Sequence, residues 1–260
     1  MTKVSTITPC YNMSKYMEGF LDNLSQQTHQ DLEVVMDHND PTEREVELVE
    51  AHNDIFDNIF HIKVEGVDPI GVSMNRCIEN ASGEYLCIWN ADDLRTPDSI
   101  EIMANVLDNN PDIGVVYGNY NMVTEFGSTE GRYIDVKPFI HELRIGMILG
   151  PFFMFRKSLI EKSGLFDEQL ISGADYDLAL RLVFNSEAHF MPDVLGYYLN
   201  EGLGQSTKPN SKQALERTLI ELRYGVRILD QSLVPLAKEQ YDVENIIIKD
   251  EKIPALNFKP

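Results

Sequence analysis

The stretch Gly83-Glu84-Tyr85-Leu86-Cys87-Ile88-Trp89-Asn90-Ala91-Asp92-Asp93 indicates the fold most clearly. Its apolar residues follow one another without alternating polar positions, which is typical of a short strand buried on both faces of a sheet. Ligands bind at the carboxyl edge of an open parallel sheet. The polar residues that end the stretch, Asn90, Asp92 and Asp93, are therefore predicted to lie at a ligand-binding edge.

The two carboxylates of this stretch have two interpretations. Asp92 and Asp93 offer the oxygen ligands that a hard divalent cation takes when it also binds substrate phosphates. Alternatively, Asp92 caps the helix that follows and Asp93 is solvated, since aspartate is common at helix starts. The stretch by itself favours neither interpretation.

Composition narrows the class of protein. The 260 residues, 43% of them hydrophobic, suit one large domain or one domain with an appendage. Lys and Arg total 22 against 42 Asp and Glu, and the formal net charge of −20 would repel nucleic acid, so no nucleic-acid partner is expected.

The absence of a long apolar run and of a signal-peptide pattern predicts no transmembrane segment and a cytoplasmic location. The cysteines Cys10, Cys77 and Cys87 are predicted to be buried, reduced thiols.

Strand patterns alternate with helix patterns along the first half of the chain. Apolar runs predict strands at residues 4–8, 32–36, 59–64, 85–89 and 113–120, and helices beginning near Ser14, Thr42, Ser73 and Thr96. Thr42 and Glu45 have the spacing of a capping box. The first strand is predicted to end at Pro9, because proline cannot donate to a central ladder. Such alternation predicts right-handed βαβ units and a mostly parallel sheet.

The second half of the chain is less regular. The patterns predict a hairpin up to Tyr133, a short helix over 141–149, a buried strand over 152–155, a helix over 157–163 closed by Gly164, and a polar loop over 200–210 with the length of a lid. A long helix begins at Ser211. In the tail, only Ile246-Ile247-Ile248 has a clear apolar pattern. It is interpreted as an edge strand, an interface or the start of a truncated element.

Four short motifs occur in order, and together they resemble the signatures of family 2 glycosyltransferases with the GT-A fold. The motifs are Thr8-Pro9-Cys10-Tyr11-Asn12, Asn90-Ala91-Asp92-Asp93, Gly164-Leu165-Phe166-Asp167-Glu168 and Ala174-Asp175-Tyr176-Asp177-Leu178-Ala179-Leu180-Arg181-Leu182. Their order and spacing match the family over residues 3–200. One such motif would be a weak signal, whereas four in order are a specific one.

The resemblance implies an α/β architecture with a GT-A (Rossmann-like) mixed, mostly parallel sheet flanked by helices and a C-terminal helical extension. Residues 1–210 would form the glycosyltransferase domain, with a nucleotide-sugar-binding half over 1–120 and an acceptor-binding half over 121–210. Residues 211–260 would form a C-terminal helix and tail.

The resemblance also implies an inverting transfer of a sugar from a nucleotide-diphosphate donor to an acceptor hydroxyl. By its match to the family's base position, Asp175 is the predicted general base, the group that takes the proton of the hydroxyl. A Mn²⁺ or Mg²⁺ ion held by Asp92, with Asp93 as its helper, would stabilise the leaving diphosphate.

The donor-binding residues are predicted from the same match. They are Thr8, Pro9, Tyr11, Asp37, Asn75, Arg76, Asn90 and Asp92. Tyr11 offers a ring face, Asp37 an acceptor for a uracil-type imide, and Arg76 a positive charge for the diphosphate. Asp40 is the alternative to Asp37, because both belong to one polar segment whose members also form turns.

Some positions favour a structural role or depart from the family. Asp177 is expected to lie near the start of a helix, where the helix dipole stabilises a carboxylate without a catalytic role. Arg181 is expected to be a structural ion-pair partner. Met74, Asn90 and Ala174 stand where the family often has charged residues, so Arg76 or Lys208 would have to compensate at the phosphate site. These departures leave a second function open, a non-catalytic nucleotide-sugar-binding or assembly module on the same scaffold.

The expected partners follow from the implied reaction. The donor is predicted to be a UDP-sugar in preference to a GDP-sugar, and the acceptor a glycan, a lipid-linked sugar or a protein. Contact with a membrane would come through the acceptor, and the sequence also allows a homo-oligomer.

Overall fold

The computed structural model describes residues 1–136, 147, 149–202 and 210–258, and its elements alternate much as the sequence predicts. The strands are β1 (Val4–Tyr11), β2 (Leu32–Asn39), β3 (Ile59–Val64), β4 (Tyr85–Ile88), β5 (Leu94–Arg95), β6 (Ile113–Val123), β7 (Arg132–Ile134), β8 (Met154–Arg156), β9 (Glu187–Leu199), β10 (Asn245–Ile248) and β11 (Glu251–Pro254). The helices are α1 (Met17–Ser25), α2 (Glu43–Phe56), α3 (Ile70–Asn80), α4 (Ser99–Asn109), α5 (Ile160–Ser163), α6 (Ala174–Phe184), α7 (Gln213–Tyr224) and α8 (Val234–Gln240). None of the helices in these residues is long and apolar enough to cross a membrane.

The main sheet has the strand order β3-β2-β1-β4-β8-β6-β9-β5, with β7 paired to β6. The strands β3, β2, β1 and β4 run parallel, and β6 and β9 also pair in parallel. Each antiparallel pair, such as β4 with β8, includes a strand that follows residue 130. The predicted α/β class with a mixed, largely parallel sheet flanked by helices is confirmed.

Strand β4 is buried on both faces, as its continuous apolar run predicts. Leu86 and Ile88 belong to the core under α3, α6 and α7, whereas Tyr85 and Cys87 belong to the core under α1 and α4. This division follows from strand geometry, because consecutive side chains point to opposite faces. The rings of Trp89 and Phe20 make an edge-type contact with their centroids 5.3 Å apart. Trp89 is buried and is therefore a core residue, as the sequence favours.

Strands β1 and β2 run past the residues at which the sequence predicts loops. β1 continues through Pro9 to Tyr11, and Pro9 is level with Asp37 of β2. The predicted end at Pro9 is wrong for a geometric reason. The Trp89 N–H donates to the Ile7 carbonyl, so the main chain of Ile7 faces β4, and two residues on Pro9 faces the same side. The β1–β4 ladder has already ended at Ile7 and Ile88, so a residue without an N–H is tolerated there.

The helix starts are predicted with mixed success. Thr42 forms the expected capping box with Glu45 at the start of α2. The other three starts are wrong, since α1 follows Tyr16 without a side-chain cap, α3 begins at Ile70 after Pro69, and α4 begins at Ser99 after Asp98. Pro69 is the N-cap residue of α3, and its ψ of 142° is extended, so the helix begins at the next residue.

The second half agrees with the sequence in part, since α7 begins at Gln213 instead of Ser211 and the sequence does not predict α8 or β11. β7 pairs antiparallel with β6 in the predicted hairpin, and Gly164 closes α5 with a φ of +71°. The predicted helix over 141–149 and the predicted loop over 200–210 lie largely outside the described residues.

The residues after 210 pack onto the main core. Leu219 of α7 and Ile246 of β10 join the apolar cluster that also contains α6. Ile246-Ile247-Ile248 forms most of β10, which pairs with β11 in a separate two-stranded sheet. The domain boundary at residue 210 stays a prediction, although the two sides share this core.

A buried ionic network joins the C-terminal segment to α6. The Arg223 guanidinium donates to Asp167 at 2.8 Å and to Asp177 at 2.9 Å, and Asp177 also accepts from Arg181 at 2.6 Å. The four side chains are almost completely buried. The expected ion-pair role of Arg181 is confirmed. Asp177 also has a structural role, because it pairs with two arginines, Arg181 and Arg223.

Removing Arg223 should destabilise the whole fold. Arg223→Met leaves Asp167 without its cation and Asp177 with one instead of two, and uncompensated buried carboxylates cost about 3–5 kcal/mol of unfolding free energy. Urea unfolding at neutral pH measures this loss. The control is Arg44→Met, because Arg44 is 66% exposed and its pair with Glu47 contributes less than about 1 kcal/mol. Equal losses in the two variants would show that the network does not hold the C-terminal segment.

Candidate functional site

A cavity of about 760 Å³ opens at the carboxyl ends of β1 and β4. Most of its walls come from four segments that are distant in sequence, within residues 9–16, 88–93, 171–175 and 198–201, and the rest comes from Ile70, Met74, Pro151 and Phe153. The parallel pairing of β1 with β4 and of β6 with β9 turns the ends of these strands to one edge. The cavity therefore lies where the sequence predicts a ligand-binding edge.

Six of the predicted site residues line this cavity. They are Pro9, Tyr11, Asn90, Asp92, Asp93 and Asp175. The Tyr11 side chain is 49% exposed, so its ring can stack on a flat ligand. The remaining four, Thr8, Asp37, Asn75 and Arg76, are not among the described residues of the cavity wall.

Asp92 and Asp93 have different surroundings although they are adjacent. Asp93 is 2% exposed, and it accepts hydrogen bonds from the Leu199 N–H at 2.9 Å and from the Asn90 amide at 3.4 Å. Burial, and after it the charge of Asp92, raises the pKa of Asp93 well above the usual value. Asp92 is half-buried, and its pKa is raised mainly by burial. The alternative of a cap and a solvated carboxylate is wrong, because α4 begins after Asp98 and Asp93 is buried.

Asp175 lies in the first turn of α6 and lines the same cavity as Pro9 and Tyr11 of β1. Its carboxylate accepts a hydrogen bond from the Tyr176 N–H at 2.8 Å. Burial raises its pKa to about 6, against the lowering effect of that hydrogen bond. A carboxylate with a pKa near neutral that faces a cavity suits proton transfer.

Asp37 and Arg76 bind each other at the outer side of this edge. The Arg76 guanidinium donates to Asp37 at 2.6 Å and to Asp68 at 2.7 Å, and Asn39 also donates to Asp37 at 2.7 Å. Asp40, the alternative to Asp37, is exposed and has a φ of +46°. The positive charge of Arg76 is thus already shared between two carboxylates.

Asn75 and Thr8 make contacts within the fold. The Asn75 side chain accepts from the Phe166 N–H at 2.8 Å and donates to the Phe166 carbonyl at 3.0 Å and to Glu168 at 2.9 Å. It thereby ties α3 to the segment before α6. The Thr8 hydroxyl is buried and bonds the Thr6 hydroxyl at 2.9 Å.

An ion pair at the mouth of the cavity is not indicated by the sequence. The Lys15 ammonium contacts both oxygens of Glu201, at 2.6 and 2.8 Å, and the Tyr16 hydroxyl donates to Glu201 at 3.3 Å. Lys15 is the one cationic side chain among the described residues of the cavity wall. No local pattern could have predicted this pair, since its partners are 186 residues apart in sequence.

The cavity fits a metal ion that arrives together with a phosphate ligand. In the described parts of the chain, no three His, Cys, Asp or Glu side chains are grouped to hold an ion. Asp93 is engaged by Leu199 and Asn90, so Asp92 is the available predicted ligand. Ions such as Mg²⁺ often bind one protein carboxylate and take their other ligands from phosphate and water. If an ion binds here with a phosphate ligand, Asp92 would supply that single carboxylate.

Comparisons with known proteins agree on one family and one fold. The family model described as "Glycosyl transferase family 2" matches residues 5–164. An uncharacterized glycosyltransferase of Rickettsia felis is 32% identical over 206 residues, which is 74% of this chain and 33% of that relative's length.

Two solved structures have a similar fold. S. aureus TarS 1-349 in complex with UDP-GlcNAc has a TM-score of 0.69 at 18% identity, and the match covers 93% of this chain and 72% of that one. The mannosyltransferase PcManGT from Pyrobaculum calidifontis, in complex with GDP-Man and Mn²⁺, has a TM-score of 0.58 at 20% identity and covers 85% of this chain and 61% of that one. The likeness confirms the GT-A fold.

The buried charge of Asp93 should reduce stability at neutral pH. Because its pKa in the folded protein exceeds the unfolded value, stability is lost as pH rises from the unfolded pKa through the folded one. Asp93→Asn, which can keep the bond from Leu199, is expected to unfold at higher urea concentration than the wild type at pH 8. The difference should shrink towards pH 4. The exposed Asp98→Asn serves as control, and a less stable Asp93→Asn at pH 8 would mean that the charge is compensated in the fold.

Proposed function

Because the chain belongs to glycosyl transferase family 2, we propose that it transfers a sugar from a nucleotide-diphosphate sugar to an acceptor hydroxyl in this cavity. The observation that supports the proposal most is that Asp92 and Asp175 line one cavity from different elements. Its volume of about 760 Å³ is ample for a small-molecule ligand. A transfer reaction needs one charged group for the leaving diphosphate and another for the acceptor proton, and the two carboxylates can fill these roles.

The nucleotide is proposed to bind on the side of β1. The Tyr11 ring would stack on the base, and the main chain of Thr8 and Pro9 and the Asn90 amide would contact the ribose. Lys15 would exchange Glu201 for the donor's diphosphate, which carries more negative charge. A UDP-sugar is favoured as donor, and support comes from TarS, the neighbour with the higher TM-score, which is bound to UDP-GlcNAc.

The donor roles of Asp37, Asn75 and Arg76 stay predictions. Asp37 is level with Pro9 and would reach a base at that edge once Arg76 releases one of its oxygens. Arg76 would in turn reach a diphosphate only by leaving Asp37 and Asp68. Asn75 contributes by holding Phe166, as described above.

Asp92 is the proposed ligand of Mn²⁺ or Mg²⁺. A bound ion would act as a Lewis acid that stabilises the negative charge on the leaving diphosphate. Asp93 supports this role indirectly, because its bond to the Leu199 N–H fixes the turn on which Asp92 lies. The Mn²⁺ bound to the neighbour PcManGT supports divalent metal use in this fold.

Asp175 is the proposed general base. Its carboxylate would take the proton of the acceptor hydroxyl while the hydroxyl oxygen bonds to the anomeric carbon. The bond from that carbon to the diphosphate oxygen breaks at the same time, and its electron pair leaves with the diphosphate. Attack from the face opposite the leaving group inverts the anomeric configuration.

A non-catalytic nucleotide-sugar-binding module is the second candidate. Met74 and Ala174 line the cavity where the family often has charged residues, and the single cation of the described wall, Lys15, is already paired. A module of this kind would keep donor binding and lose turnover.

Release of nucleoside diphosphate from a panel of UDP- and GDP-sugars, with and without Mn²⁺, tests the transferase proposal. With glycan acceptors, we expect the wild type to turn over a UDP-sugar when Mn²⁺ is present. Asp175→Asn should lower the rate by roughly 10²–10⁴-fold, because it removes the base. Asp98→Asn, an exposed carboxylate outside the cavity, should retain the wild-type rate.

Two outcomes would refute parts of this proposal. Equal turnover by Asp175→Asn and the wild type would remove Asp175 from the base role. Calorimetric binding of UDP with Mn²⁺, without release from any pair of donor and acceptor, would establish the binding module instead.

The acid limb of the pH–rate profile should have an apparent pKa near 6. A general base acts when it is deprotonated, and burial raises the pKa of Asp175 to about 6, so activity is lost as pH falls through that value. Initial rates of kcat/KM between pH 4.5 and 8 measure the limb. A kcat/KM that stays constant down to pH 4.5 would contradict a general base with the raised pKa of Asp175.

A further inference from the structure

Glu216 of α7 is a buried carboxylate that binds the peptide segment before Asp175. Its oxygens accept hydrogen bonds from three consecutive main-chain N–H groups, those of Ile171 at 3.1 Å, Ser172 at 2.6 Å and Gly173 at 2.8 Å. The Tyr241 hydroxyl donates a fourth bond at 3.0 Å. These donors are all neutral, so peptide dipoles and one phenol stabilise the buried carboxylate.

The segment that Glu216 binds leads directly into the proposed base. Gly173 is the N-cap of α6, and Asp175 is the second residue of that helix. Ile171, Ser172 and Asp175 all line the cavity. A shift of the segment would therefore move the carboxylate of Asp175 relative to anything bound in the cavity.

The contact between α7 and this segment is close at Gly173. A Cβ atom at Gly173 would lie 3.1 Å from Ile220 and 3.2 Å from the Cβ of Glu216. α7 thus packs directly against the turn that begins α6.

The carboxylates of Glu216 and Asp175 also interact electrostatically. Burial is the main cause of the raised pKa of Asp175, and the charge of Glu216 raises it further. The cavity that Asp175 lines also contains Tyr198 of β9, whose own pKa is raised by burial and then by nearby carboxylates. Its other titratable lining residues are Tyr11, Lys15, Tyr16, Asp92, Asp93 and Glu201.

We propose that Glu216 is the positioning residue of the active site, which holds residues 171–173 and thereby places Asp175 for proton transfer. This role depends on the proposed transfer reaction, in which Asp175 is the base. It also gives the C-terminal segment a part in the chemistry, since Glu216 and Tyr241 both follow residue 210.

Two substitutions of Glu216 separate its geometric effect from its charge. Glu216→Ala removes every acceptor, so kcat at pH 8 should fall by roughly 10–100-fold because misplaced reacting groups lose rate, while KM for the donor stays within about twofold. Glu216→Gln keeps one oxygen acceptor and should restore most of kcat. Because it removes the charge, it should also move the acid limb of the pH profile below that of the wild type.

Glu221→Gln is the matched control. Glu221 is also fully buried on α7, and its carboxylate accepts from the Leu229 N–H at 3.0 Å instead of from residues 171–173. We expect wild-type kcat and an unchanged acid limb. Urea unfolding of every variant checks that the protein compared at pH 8 is folded.

A carbon-13 NMR titration of the Asp175 carboxyl provides a readout that needs no turnover, with Asp175→Asn used for assignment. A lower Asp175 pKa in Glu216→Gln than in the wild type supports the positioning role. Folded Glu216→Ala with wild-type kcat, or an Asp175 pKa that is the same in folded Glu216→Ala and wild type, would overturn it. If the wild type releases no nucleotide, the transfer reaction fails while the NMR titration still decides whether Glu216 acts on Asp175.

Discussion

The β1–β4 ladder ends early, and the cavity proposed to bind the donor opens beside this end. β1 and β4 pair only as far as Ile7 and Ile88, whereas β1 continues to Tyr11 beside β2. Pro9 lies in the part of β1 that pairs with β2 alone, and on the side of β4 its missing N–H leaves no partner unsatisfied. β4 turns away instead and presents Asp92 to the gap. The chain thus uses a residue that cannot complete the ladder at the position where the ladder must open.

The other wall of the cavity depends on charges buried beneath it. Asp167 and Asp177 flank the segment that carries Asp175, and Arg223 binds both from the C-terminal segment. Buried ion pairs of this kind contribute little net stability, but losing one partner is costly, so they favour one arrangement over others. This network binds Asp177 in the first turn of α6, and Glu216 binds residues 171–173 just before that turn. The proposed base is therefore attached to rigid elements instead of a free loop, which is what accurate placement of a catalytic group requires.

The sequence predicts what is encoded locally and misses what depends on distant partners. The burial of β4 and the capping box of Thr42 and Glu45 follow from neighbouring residues, and four ordered motifs were enough for the fold and the family. The different environments of Asp92 and Asp93 were not predictable, because they are set by Leu199, 106 residues further along the chain. The cavity residues supplied by the C-terminal half and the contact of α7 with α6 share this limit. Contacts between distant parts of the chain decide which residues meet, and the pattern of a single sequence does not contain that information.

A crystal structure of the protein soaked with UDP and Mn²⁺ is the most direct test of the central claim, that the cavity between β1, β4 and α6 binds a nucleotide-sugar donor. We predict the uracil on the Tyr11 ring and the ion between Asp92 and the diphosphate oxygens. Asp175 should remain free on the opposite wall, facing the space beyond the diphosphate where the sugar would lie. UDP bound outside this cavity, or an ion held by carboxylates other than Asp92, would contradict the claim.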